Sequence, residues 1–206
     1  MTTPPPDRGW RGTPDLWLDA AHALLLEAGV DAVKVAPLAQ RLGLSRTSFY
    51  HHFPDREALL AALIARWEAK NTANLLARCA AYAETLAEAM LNVFDCWIDP
   101  ALFDSAMEFA LRNWALTAPD LAQKLAETDA VRLAALTALF RRFGRDATEA
   151  DTRARVVYLT QIGYISLRST EPLALRLARI PTYVEAFTGT PPTPAEIARF
   201  TARHMP

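Results

Sequence analysis

The chain predicts an all-α protein with an N-terminal three-helix unit built around a helix-turn-helix, followed by a larger helical domain. Three observations carry this. Apolar residues recur at three- and four-residue spacing along the chain, with no stretch of strand alternation and no internal repeat. Capping residues, prolines and glycines fall where such helices would start and stop. At 206 residues, 51% of them hydrophobic, the chain suits one large or two small domains with a real core.

The elements follow in order. The Pro-rich arm over residues 1–12 is expected to be disordered. Thr13 caps a first helix with Pro14 at its opening position, and Gly29 ends it. Leu38, Ala39 and Leu42 share one face of a short second helix, which opens on Val35, Ala36 and Pro37. Gly43 supplies the sharp turn, Leu44 plugs the corner and Ser45 caps the next helix. Asp55 caps a long helix through Trp67 to about Cys79. Further helices are expected from about Ala81 to Ile98, Leu102 to Leu116, Pro119 to Phe143 and Thr148 to about Ser169. A short one spans Ile180 to Phe187, and Pro191, Pro192 and Pro194 precede a small terminal helix. The domain boundaries expected are 13–54 for the helix-turn-helix domain, 55–190 for the second domain and 191–206 for a tail.

Residues 35–60 are the most informative part. Phe49 and Phe53, four apart, pin the second helix of the motif to the core. At about 100° per residue the opposite face then carries Thr47, Ser48 and His51, flanked by Tyr50 and His52, with Arg46 at the helix start. Short hydroxyl side chains in the middle can approach base edges, and longer donors on the flanks can reach the phosphate walls of a major groove. Lys34 is the nearest cation to the first helix of the motif. An ordinary helical hairpin with a polar face would account for any one of these residues; the whole pattern fits a DNA-binding unit.

The segment from Leu16 to about Leu60, with AAHALLLEAGVDAVKV and then LAQRLGLSRTSFYHHFPDREALL, resembles the DNA-binding domain of the TetR/AcrR family of bacterial transcriptional regulators. The resemblance covers roughly the first third of the chain, and the Phe-Tyr-x-His-Phe run is its most specific part. It implies that Arg46, Thr47 and Ser48 approach bases and that Tyr50, His52 and Arg56 hold phosphates. Val35, Ala36 and Pro37 depart from the family pattern, which usually opens this helix with a Thr cap and polar residues.

In the second domain the helix from 148 to 169 is apolar nearly all round, through Val156, Val157, Tyr158, Leu159, Ile162, Tyr164, Ile165 and Leu167. Such a helix needs burial on both sides, either within the protomer or against a second copy. Thr160 and Gly163 allow close helix approach, and Tyr183, Val184 and Phe187 form a second stripe. The resemblance favours a homodimer through the last helices, which assigns Val156, Thr160, Gly163, Tyr164, Leu167, Tyr183, Val184 and Phe187 to the interface.

The middle helices hold large apolar side chains that serve either as plain core or as walls of an effector cavity, as the resemblance implies. Phe94, Trp97, Met107 and Trp114 are the candidate walls and Asn113 a polar contact. Arg112 allows two readings: a clamp for an acidic effector, or a tie to Asp129 on the next helix.

Charge is nearly balanced, at −1 overall, with three arginines against Asp55 between Arg41 and Arg56. This is a small local patch that a dimer would double. Phosphate-loop, nucleophile-elbow and zinc-helix motifs are absent from the sequence, so an enzyme is not expected. His51 and His52 diverge on a helix, and Cys79 and Cys96 are too few for a zinc module or disulfide framework, so no metal or cofactor is expected. The first fifteen residues hold no apolar run, so no signal peptide is expected, and the apolar stretch Ala58–Ala65 is too short to cross a bilayer; a soluble cytoplasmic protein is expected. The partners expected are double-stranded operator DNA, a second copy and a small-molecule effector. The alternatives are the same fold without a small effector, governed by a protein partner or acting architecturally, and a helical enzyme that keeps the motif as scaffold.

Overall fold

The computed structural model describes residues 12–205, and the chain divides into two compact units between Arg66 and Trp67. The arm expected to be disordered lies outside the described residues except for Gly12. Every regular element among the described residues is helical.

The first unit begins with α1 (Pro14–Ala28), whose N-terminal amides are capped by Thr13 Oγ1 accepting from Leu16 N at 3.2 Å. Gly29, at φ 79°, ends it and leads through a 3₁₀ turn, Val30–Ala32, into α2 (Val35–Leu42). Gly43 sits in the left-handed region at φ 63°, and Leu44 N donates to Ala39 O at 2.9 Å, which closes the helix end. The chain then enters α3 (Arg46–Tyr50) and α4 (Arg56–Trp67). Trp17, Phe49 and Leu38 are fully buried, and Trp17 meets Phe49 edge-on at 5.3 Å while Phe49 stacks on Phe53 at 5.6 Å. These aromatics hold α3 against α1 by area and by geometry together. Arg66 donates to Asp19 at 2.6 Å across α4 and α1.

The second unit opens on a π-helical turn, Glu68–Thr72, where the sequence reading expected uninterrupted α-helix. The extra residue in this turn is matched by buried hydrogen bonding: Asn71 Oδ1 accepts from Asp104 N at 2.8 Å and its Nδ2 donates to Glu108 at 3.0 Å. After α5 (Ala73–Ala80) comes α6 (Leu86–Ile98), the central helix, with ten of its thirteen residues buried. It starts later than expected because Thr85, not Ala81, provides the cap, its Oγ1 accepting from Glu88 N at 3.0 Å. Then follow α7 (Ser105–Ala115), α8 (Pro119–Arg142) and α9 (Ala147–Ser166). α10 (Leu173–Thr188) begins seven residues before the expected Ile180 and carries Pro181 in its interior. The expected tail contains α11 (Pro194–His204), fixed by a Thr193–Glu196 capping box and by Phe200, which is 1% exposed. Arg203 and His204 of α11 reach the buried Asp95 of α6 at 3.1 and 2.8 Å.

Candidate nucleic-acid interface

α3 is a five-residue helix that presents its first turn and its last residue outwards. Arg46 and Thr47 are exposed, and Tyr50 is 57% exposed although its ring touches Phe49 edge-on at 5.3 Å. Phe49, fully buried, therefore fixes the helix while its neighbours remain on the surface. His51 is exposed and His52 half-buried, their rings 5.2 Å apart, and Lys34 is exposed at the N-terminus of α2.

Two expected contact residues are engaged elsewhere. Ser48 is 8% exposed, and its hydroxyl lies 3.1 Å from Ser45 Oγ, which also caps the Ser48 amide at 3.2 Å. Its side chain belongs to the helix cap rather than to the outer face. Arg56 donates from Nε to Val33 O at 2.6 Å and from Nη2 to Val30 O at 2.8 Å, tying the start of α4 to the 3₁₀ turn. The two carbonyls make this guanidinium a structural staple, with Nη1 3.5 Å from Glu57. Arg41 is engaged as well, in a bidentate pair with Glu27 at 2.6 and 2.7 Å. Of the three arginines in this segment, Arg46 is the one with neither an ion pair nor a carbonyl staple among the described residues.

Residues 18–63, which span this geometry, match the family model of bacterial regulatory proteins of the tetR family. An HTH-type transcriptional repressor of Mycobacterium tuberculosis is 34% identical over 131 residues, 61% of this chain and 63% of that protein. The class A tetracycline repressor protein from transposon 1721, of Escherichia coli, is 41% identical over 58 residues, 28% of this chain and 27% of that protein. The chain thus matches less than two thirds of the length of either. A transcriptional regulator of the TetR/AcrR family from Aquifex aeolicus shares the fold, with a TM-score of 0.64 at 16% identity, covering 86% of this chain and 96% of that one. Residues 18–63 thus carry the tetR-family match, and the fold is shared with the Aquifex regulator.

The candidate effector residues separate into two places. Phe94 and Trp97 line a small cavity of about 50 Å³ together with residues of α9 and α10. Met107 is buried, Trp114 half-buried and Asn113 exposed, and none of the three lines that cavity. The residues expected at a second copy also divide. Val184 is fully buried and Phe187 nearly so, with Phe187 stacked on Phe94 at 6.1 Å, so both serve the protomer's own core. Val156, Thr160, Leu167 and Tyr183 are exposed, and Gly163 and Tyr164 are half-buried.

Arg112 is paired, and within a larger network than the sequence indicates. Its Nη1 and Nη2 donate to Asp129 at 3.1 and 2.7 Å, and Nη2 also reaches Glu108 at 2.8 Å. Glu108 and Arg132, both fully buried, meet at 2.9 Å, and Tyr158 donates to Asp129 at 2.6 Å. Trp67 Nε1 donates to Glu108 at 2.8 Å, and the Arg132 guanidinium lies 4.9 Å from the Trp67 ring centroid. Burial alone would raise the Glu108 pKa, but Arg132 and then Arg112, with their hydrogen bonds and that of Asn71, hold it below the usual carboxylate range. Burial pushes the Tyr158 hydroxyl well above its ordinary value despite Arg132, so it remains a donor. The hint available in the sequence was Glu108, three residues before Leu111 and next to Met107, on the apolar face of α7.

Among the described residues no helix is long and apolar enough to cross a membrane, and no group of three or more His, Cys, Asp or Glu could hold a metal ion.

Proposed function

We propose that this chain is a homodimeric transcriptional regulator that binds palindromic operator DNA as a repressor and releases it when a small, mostly apolar effector occupies the second unit. The observation that carries the reading is α3 itself, with buried Phe49 fixing a helix whose Arg46, Thr47 and Tyr50 stay on the surface. Arg46 and Thr47 would read base edges, because they occupy the first turn, the part of a recognition helix that enters the groove. Tyr50, His51, His52 and Lys34 would hold phosphates on either side.

A second copy supplies the second half-site. The exposed apolar side chains Val156, Leu159 and Leu167 of α9, and the exposed Tyr183 of α10, support pairing through α9 and α10. Two recognition helices related by a two-fold axis match half-sites about one helical turn apart. An effector acts through differential affinity for the DNA-bound and released conformations. Selection of binding sites from random duplex DNA with the full chain tests the reading. An enriched inverted repeat is the expected result, and an unenriched pool would contradict it.

A further inference from the structure

In the first unit α1, α3 and α4 begin with the same device. The side chains of Thr13, Ser45 and Asp55 each accept from the amide three residues on, those of Leu16, Ser48 and Ala58, at 3.2, 3.2 and 2.7 Å. α2 begins without it, because the side chain of Lys34 makes no capping bond. Three residues on stands Pro37, which has no N–H, so no side chain at position 34 could form the bond that the other helices use. The 3₁₀ turn before α2 has no side-chain cap either.

The start of α2 is held from a distance instead. Arg56, the first residue of α4, donates from Nε to Val33 O at 2.6 Å and from Nη2 to Val30 O at 2.8 Å. Val33 is fully buried and directly precedes Lys34. These charge-assisted bonds clamp together the two ends of the segment 34–55, which contains α2, the turn and α3. Five residues are too few for α3 to hold itself, so its direction depends on what fixes the elements on either side.

We propose that Arg56 is a positioning residue for DNA recognition: its guanidinium takes the place of the cap that Pro37 denies α2, and so sets Lys34 and α3 for the groove. The inference rests on the proposed operator binding and assigns Arg56 a role within it. The competing role is a phosphate contact. Nε and Nη2, the edge that would grip a phosphate with two bonds, are both taken by carbonyls, and Nη1 stands 3.5 Å from the Glu57 carboxylate. A lysine, as a point charge, could serve a phosphate but could not fork between two carbonyls.

Two measurements on Arg56→Met and Arg56→Lys test the proposal. In the free protein, hydrogen exchange over residues 33–53 should be several-fold faster in Arg56→Met, which keeps the stem and loses the donors. A phosphate contact would leave exchange without DNA unchanged. On an operator selected from random duplex DNA, Arg56→Met should bind about tenfold more weakly, as the loss of charge-assisted bonds predicts. Its salt dependence should stay close to that of the wild type, whereas a lost phosphate contact lowers the log–log slope by about 0.9 per protomer. Arg56→Lys keeps the charge, so it should bind like the wild type if that charge meets a phosphate and several-fold more weakly if the fork is what matters. Unchanged exchange in Arg56→Met, a slope lowered by about 0.9 per protomer, or wild-type affinity in Arg56→Lys would overturn the proposal. Should Arg56→Met not fold, Arg56→Lys decides by its affinity and its exchange. If the wild type binds its operator and exchange in the variants is unchanged, operator binding stands and the positioning role falls. If exchange rises but the wild type selects no operator, the clamp on α2 stands and operator binding falls, and the positioning role with it.

Discussion

Arg132 and Glu108 form an ion pair in which neither side chain is accessible to solvent, with Arg132 Nη1 donating to Glu108 Oε1 at 2.9 Å. A buried pair is costly to break from one side because the remaining charge keeps its desolvation penalty. Glu108→Gln should therefore destabilise the chain by about 3–5 kcal/mol in urea unfolding, since Arg132 and Arg112 both lose their shared counter-ion. The wild type should also show a pH dependence of definite sign. The folded pKa of Glu108 lies below its ordinary value of 4.5, so its contribution is fully present above that pH and is lost as the pH falls through the depressed folded value. The fall in stability on acidification below about 4.5 should be shallower in Glu108→Gln. An equally steep fall in both proteins would place the acid-sensitive group elsewhere.

Arg112 and Asp129 test the outer part of the same network. Arg112→Ala and Asp129→Ala should each lower the melting temperature, and the double variant should cost less than their sum by about 0.5–3 kcal/mol. Tyr158 and Glu108 also touch Arg112, so the Arg112 variant should be the worse of the two. Additive losses would show that the pair is not coupled.

Helix ends marked by a specific cap were legible in the sequence. Thr13 with Pro14, Gly29, Gly43 and Ser45 act locally, within a few residues of the groups they satisfy, so their identity is enough to read them. Features set by distant partners were not legible. The π turn at 68–72 is matched to hydrogen bonds from Asn71 to Asp104 and Glu108, more than thirty residues away. The helix expected to span Ile180 to Phe187 begins at Leu173, with Pro181 in its interior, because the apolar stripe of Leu177, Ile180, Val184 and Phe187 continues through it. On α3, the exposure of Arg46, Thr47 and Tyr50 followed from the rotation about buried Phe49. Ser48 and Arg56 did not, because the first is drawn into the cap of a five-residue helix and the second reaches back to carbonyls over twenty residues away.

Gly163 gives a clean test of pairing. A Cβ built there meets nothing within 4 Å inside the protomer, so a larger side chain is compatible with the chain's own packing. Gly163→Leu should leave the helical circular dichroism unchanged but shift the mass measured by light scattering towards the monomer. An unchanged dimer would move the interface away from this part of α9.

Cys79 and Cys96 are buried, and burial pushes each thiol up to about 12. The thiolate is the reactive form, so both should resist iodoacetamide at pH 8 in the native protein and react only on unfolding. Rapid labelling of either in the native state would show that α5 or α6 opens locally.

Base-by-base substitution of the selected operator, with affinities measured for the wild type and for Arg46→Ala, is the most direct test that α3 reads sequence. The account predicts that Arg46→Ala loses about 1–3 kcal/mol of discrimination at one or two positions in each half-site and keeps it at the others. Tyr50→Ala, by contrast, should weaken binding to every duplex alike and leave its salt dependence unchanged, because a neutral hydroxyl releases no counter-ion. Discrimination by Arg46→Ala equal to that of the wild type at every position would contradict the account.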